Sequence, residues 1–211
     1  MTRQLSRKGS WLLVSLVLSC NDSGLSVPEP QPNSAAVTNG LTCVRPSLEG
    51  MGDIDAEIDF NTYSIQGSTV EALRNSLNER GPGGHDAYTA WYVTWNLLGS
   101  DCTQPSPQIG LTITYTFPRW EERRGASPEL VSNWNRYEQA LLCHEHQHAK
   151  IGIRAARETA RQMATITPKN CRQKQELGEQ IFQQILTDHQ AMDRVLDART
   201  QHGATEGAVF P

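Results

Sequence analysis

Between residues 91 and 117 the chain alternates apolar and polar side chains with a period of two. Trp91, Val93, Trp95 and Leu97 alternate with Tyr92, Thr94 and Asn96. After a proline-rich loop, Ile109, Leu111, Ile113, Tyr115 and Phe117 alternate with Thr112, Thr114 and Thr116. Such runs are strands with one buried face, and their succession predicts antiparallel neighbours with the tryptophans in the core. "AEIDFNTYSI" (56–65) alternates in part and predicts a further strand. Residues 67–82 predict a helix. Ser68 and Glu71 suit a capping box, Val70, Leu73 and Leu77 share a face, and Gly81-Pro82 stops it.

From Ser127 the period lengthens. Ser127 can cap, Pro128 suits the first helical position, and Leu130, Trp134, Tyr137, Leu141, His144, His148, Ile151 and Ala155 recur at steps of three and four. A long helix is expected to about Thr165, ending before Pro168. A second helix is expected from about Arg172 to Asp197, with Leu177, Ile181, Ile185, Met192 and Leu196 on its buried stripe. "RTQHGATEGAVFP" reads as a loop and tail. The expected fold class is α+β: a small antiparallel β-sheet with one helix, then a long antiparallel helical hairpin.

The amino terminus reads as an export signal. Arg3, Arg7 and Lys8 precede the apolar run "WLLVSLVLS", which is too short to span a bilayer as a helix. Cys20 follows directly, an arrangement that resembles the lipobox of bacterial lipoproteins, in which this cysteine carries lipid. Residues 21–52 are rich in Pro, Ser, Asn and Gly and read as a flexible tether. The folded domain is expected over 53–211. The chain is therefore expected in the periplasm or cell envelope, attached to a membrane through Cys20. The net charge of −4 gives none of the basic footprint of a nucleic-acid binder. Of five cysteines, four remain if Cys20 is lipidated, and an exported chain can oxidise them. Cys102 and Cys171 both fall on loops and are expected to pair. Cys43 and Cys143 are left over, Cys143 as a small core residue.

Three of the six histidines lie in "LLCHEHQHAK" (141–150). His144 and His148 occupy the buried stripe where apolar residues belong, one turn apart, so both imidazoles can reach one ion. Glu145 lies about 100° round the helix from His144. It can reach a water on that ion without ligating it, the H-E-x-x-H arrangement of zinc peptidases. His146 is expected on the opposite, solvated face. Zinc suits the donors, because a catalytic zinc takes three protein ligands and one water, lowers the pKa of that water and polarises a carbonyl. Glu145 would take the proton and pass it to the leaving amine.

These residues carry a resemblance to the bacterial family of predicted secreted zinc-dependent proteases. It covers about 57–211 and includes "YSIQGSTVEALRNSLNERGP", "DAYTAWYVTWNL", "FPRW", "HEHQH" and "LDARTQHGATEGAVFP". Leu196 stands where a Tyr is common and Glu206 where a Gln is common, so a Tyr acting on an oxyanion at 196 is excluded. The resemblance implies His202 as third zinc ligand, with Asp197 supporting it. Helical arithmetic favours His189 instead, with Asp193 nearby, because both lie level with the motif across the hairpin. Two functions follow. One is an exported zinc metallopeptidase that hydrolyses amide bonds in a protein or peptide substrate, with Glu145 as general base. The other is a non-catalytic envelope lipoprotein whose domain serves binding or scaffolding.

Overall fold

The computed structural model describes residues 43–97, 107–167 and 170–210. The expected signal segment with Cys20, the tether up to residue 42, and Cys102 lie outside the described residues. Three strands, β1 (Ile54–Ile65), β2 (Tyr88–Leu97) and β3 (Pro107–Trp120), combine with three helices, α1 (Val70–Arg80), α2 (Pro128–Met163) and α3 (Cys171–Thr200). Short 3₁₀ turns follow α1 (Pro82–Gly84), β3 (Arg123–Gly125) and α3 (Ala204–Glu206). The fold is α+β, as expected. Among the described residues no helix is long and apolar enough to cross a membrane.

The sheet has the order β1-β3-β2. β2 and β3 are antiparallel, with Trp91 opposite Ile113 and Trp95 opposite Ile109. β1 runs parallel to β3, from Ile54 opposite Ile109 to Ile65 opposite Trp120. The sheet is therefore mixed rather than antiparallel throughout. β3 inserts between β1 and β2 in space, so β1 pairs with a strand two steps on in the chain, across the connection that carries α1.

α1 begins one residue later than expected. The chain is still turning at Gly67 (φ 146°), and Thr69 rather than Ser68 caps, its side chain accepting from the Ala72 N–H. Ser127 caps α2 as expected, with Pro128 in the first turn. α2 packs on the sheet with one side and on α3 with the other. That double cover explains why Ala149, Ile151, Ile153, Ala155 and Ala156 are all buried although they spread over about 200° of the helix. Leu177 and Met192 of α3, expected on its buried stripe, are exposed, whereas Phe182, Ile185 and Leu196 are buried.

The core divides in two along α2. One cluster joins the sheet to α2 and α3 through Val93, Trp95, Ile109, Leu111, Ile113, Ile153 and Phe182. The other gathers Leu73, Leu77, Trp120, Trp134, Tyr137 and Phe210. Phe210 belongs to the expected tail, yet its ring packs on Trp134 and Tyr137. Residues 43–52, expected within the tether, also join the folded body. Met51 is buried, Arg157 donates to the Glu49 carbonyl at 2.9 Å, and Cys43 is disulfide-bonded to Cys143 with Cα atoms 5.1 Å apart. The two cysteines expected to be left over thus pair with each other. Cys171 is also disulfide-bonded.

Candidate metal centre

The H-E-x-x-H residues sit where the two core clusters meet. His144, Glu145 and His148 are buried, and so is His146. The expectation of a solvated His146 fails because the sheet covers that side of α2. Its ring meets Tyr115 edge-on, and its Nδ1 lies 3.6 Å from Cys43 Sγ. Burial, with Lys150 and Arg45 nearby, pushes His146 down to about 4.

Each candidate ligand histidine is held by a carboxylate. Asp193 Oδ1 lies 2.8 Å from His148 Nδ1, and Glu206 Oε2 lies 3.1 Å from His144 Nδ1. A carboxylate can only accept, so both Nδ1 atoms carry the proton and both Nε2 atoms present a lone pair. Asp193 is itself fixed by the Trp91 indole N–H, which donates to Oδ2 at 2.7 Å. Gln147 donates to both Glu206 oxygens at 2.9 Å.

The two lone pairs face one another. His144 Nε2 and His148 Nε2 are 3.3 Å apart, and Asp197 Oδ1 is 3.3 Å from the first and 3.1 Å from the second. His144, His148 and Asp197 therefore form a group whose donor atoms could share one metal ion. A tetrahedral ion with bonds of about 2.0–2.1 Å has ligand–ligand edges of about 3.3 Å, so the triangle has the size of one face of a zinc site. Three electron-rich atoms held this close, largely away from water, repel one another unless a cation lies among them. The His148 imidazole responds to the same field. Burial pushes its pKa down, but the Asp193 hydrogen bond and the charges of Glu145, Asp197 and Asp193 outweigh burial and raise it.

Glu145 differs from its neighbours. Its Oε2 is buried with no hydrogen-bond partner among the described residues. Burial raises its pKa against the opposing influence of Thr89 and the two histidines. Thr89, at the start of β2, also donates to the Glu145 carbonyl at 3.3 Å.

His202 does not join the close triangle. Its Nδ1 is 3.5 Å from Asp197 Oδ1, and its side chain is 60% exposed. α3 runs on to Thr200, and Gln201 and His202 then adopt left-handed backbone (φ 52° and 53°) before Gly203 (φ 83°). This turn brings the chain back onto the motif. A Cβ at Gly203 would lie 3.0 Å from His144 Cγ, and the positive φ strains any side chain, so glycine is strongly favoured there. His189 is buried, its Nδ1 donating to the Ile185 carbonyl at 2.9 Å, and it stands outside the group. Asp193, expected near the metal, instead orients His148. Neither the Glu206–His144 pair nor the Trp91–Asp193–His148 chain is anticipated from sequence. Glu206 stands out there only as a departure from a family pattern, and Trp91 reads as core.

Residues 60–203 match the family described as bacterial protein of unknown function (DUF922), and the chain belongs to that family. No curated protein and no solved structure matches the chain. The family match spans His144, Glu145, His148, Asp193, Asp197 and His202, and ends before Glu206.

Proposed function

We propose that this member of a bacterial family of unknown function is a zinc-dependent hydrolase of amide bonds in proteins or peptides. The observation that carries the reading is the triangle of His144 Nε2, His148 Nε2 and Asp197 Oδ1, with edges of 3.1–3.3 Å. Its chemistry fits a borderline cation, since two imidazoles and one carboxylate are ordinary zinc donors. His144, His148 and Asp197 would hold the ion, with Glu206 and Asp193 fixing the two rings. Zinc bound there would supply Lewis acidity, lowering the pKa of a water and polarising a carbonyl.

The chain's own residues do the rest. Glu145 stands beside the metal group with an unpartnered buried oxygen, the requirement for a base that receives a proton from the attacking water. Its raised pKa lets it keep that proton long enough to hand it to the departing amine. A scaffold with a closed four-ligand site would have no use for that carboxylate. We further place the domain outside the cytoplasm, tethered through a lipid on Cys20. Membrane fractionation of Cys20→Ser tests this, since the variant is expected in the soluble fraction.

The deciding experiment pairs elemental analysis with an amidase and peptidase screen. The wild type is expected to carry one zinc per chain, and Glu145→Gln to keep it while losing hydrolysis. Absence of stoichiometric zinc, or undiminished turnover in Glu145→Gln, refutes the reading.

A further inference from the structure

The metal group is closed on the side of α2 and the sheet and open on the side of Asp197, which is 30% exposed. Two further imidazoles face each other beside that open side. The rings of His202 and His85 are 5.1 Å apart and tilted by 48°, and His202 Nδ1 lies 3.5 Å from Asp197 Oδ1. They come from segments far apart in sequence, and neither contributes to the core.

Both are held by their surroundings, His202 at some conformational cost. Gln201 and His202 are the positive-φ non-glycine residues among those described. The turn carrying them is fastened by the His202 N–H to the Asp197 carbonyl at 3.0 Å, the Gly203 N–H to Thr200 Oγ1 at 3.2 Å, and the Ala208 N–H to the Gly203 carbonyl at 3.0 Å. Left-handed backbone in a residue with a side chain persists only where its surroundings impose it. His85 is pinned through its neighbour. The Asp86 carboxylate accepts from Arg74 at 2.6 Å and from the Tyr137 hydroxyl, and its carbonyl accepts from the Tyr63 hydroxyl at 2.6 Å. Residues of α1, α2 and β1 thus fix a loop whose own histidine is exposed. Four positions on, the same segment delivers Thr89 to Glu145. Residues 85–89 reach the base with one end and His202 with the other.

We propose that His202 is a catalytic residue that donates an imidazole N–H to the carbonyl oxygen of the scissile amide as negative charge grows on it, and that His85 positions the His202 ring. The inference rests on the metal reading above and adds the group that receives the developing oxyanion. In the reaction the carbonyl carbon gains an oxygen from water and later loses the amine. The proton from water travels through Glu145 to that amine, and no proton changes hands at His202. Donors aimed at developing charge in a partly desolvated site commonly supply a large share of catalysis.

The test uses the full chain loaded with cobalt(II), whose visible bands report ligand binding, and acetohydroxamate as the probe, its carbonyl oxygen standing in for that of the amide. His202→Ala is expected to keep one metal per chain by elemental analysis and to weaken acetohydroxamate binding by about 10–100-fold, the loss of one hydrogen bond to a charged group. His202→Gln retains an N–H donor and should recover most of that loss, which a purely structural role would not explain. His85→Ala should weaken binding by a smaller factor. Unchanged acetohydroxamate affinity in His202→Ala overturns the proposal. Loss of the metal in that variant also overturns it, by making His202 a ligand. A wild type that takes up no metal sinks the underlying reading instead, and the proposal with it.

Discussion

Asp193 receives two donors at once, and that gives a sharp perturbation. Its Oδ1 takes the His148 Nδ1 proton at 2.8 Å and its Oδ2 the Trp91 indole proton at 2.7 Å. A carboxylate can accept both, whereas an amide offers one acceptor and one donor. Asp193→Asn therefore leaves either His148 or Trp91 facing an NH₂ group. A hydrogen bond to a charged group contributes about 1.5–3 kcal/mol, so zinc affinity should fall by about 10–150-fold. That agrees with the 10–100-fold typical of groups that orient metal ligands. Trp91→Phe alone removes the second donor but leaves the carboxylate on His148, and affinity should change by no more than about 3-fold. In the double variant the amide oxygen is free to face His148, and about 10-fold of the Asp193→Asn loss should return. Zinc competition against a chromophoric chelator at pH 7 measures all four proteins, with circular dichroism as the check on folding. Should Asp193→Asn bind zinc like the wild type, or the double variant bind no better than Asp193→Asn, the carboxylate is not what orients His148.

Three further outcomes follow from packing, crosslinking and burial. A Cβ at Gly178 would stand 2.4 Å from Trp95 Cη2. Gly178→Ala should therefore cost about 1–3 kcal/mol and lower Tm by about 3–10 °C, with zinc stoichiometry intact; an unchanged Tm would show that the indole yields freely. The Cys43–Cys143 bridge spans 100 residues, so Cys43→Ser should lose about 4–5 kcal/mol in the chain-entropy account, and a urea midpoint equal to that of the oxidised wild type contradicts it. Burial raises the Glu145 pKa above its ordinary 4.5, so the folded state binds its proton more tightly than the unfolded state. Stability of the metal-free protein therefore falls as pH rises past about 4.5. Metal-free Glu145→Gln escapes that loss, should be more stable than wild type at pH 7, and should lose the advantage at pH 4. An equal gap at both pH values in urea titrations would remove ionisation as its cause.

Much of this is legible in the chain because period and capping are local. The alternation of 91–97 and 109–117 names two paired strands, and Ser127-Pro128 names the start of α2. The pairing of β1 is not legible. Its residues Asp55, Glu57 and Asp59 face water on one side, and nothing in that pattern says whether its neighbour runs parallel. His146 misleads because a helix covered on two sides has no single buried stripe. For the site, the spacing of His144, Glu145 and His148 is sufficient, since one helix carries all three. In sequence Asp193 and Asp197 are only neighbours of other expected ligands, His189 and His202, and Glu206 looks like a solvated acid. These acids gather round His144 and His148 as a candidate metal centre only when α3 lies alongside α2 and the chain turns left-handed at 201–203. Helical arithmetic found the right neighbourhood on α3 but a buried helix–helix contact in His189, because level along the axis does not fix the angle around it.

The Cys43–Cys143 bridge has a mechanical consequence. Tension arriving along the chain from before residue 43 passes through sulfur into α2, one residue ahead of His144, before it reaches β1. The edge strand is thereby shielded from being peeled off β3, and the 100-residue span within the bridge adds no contour length while the bond is intact. In a force-extension experiment pulling on the two ends, reduction should release roughly 330–360 Å of additional extension. It would also turn a load borne by α2 into one borne first by β1, at an edge of the sheet.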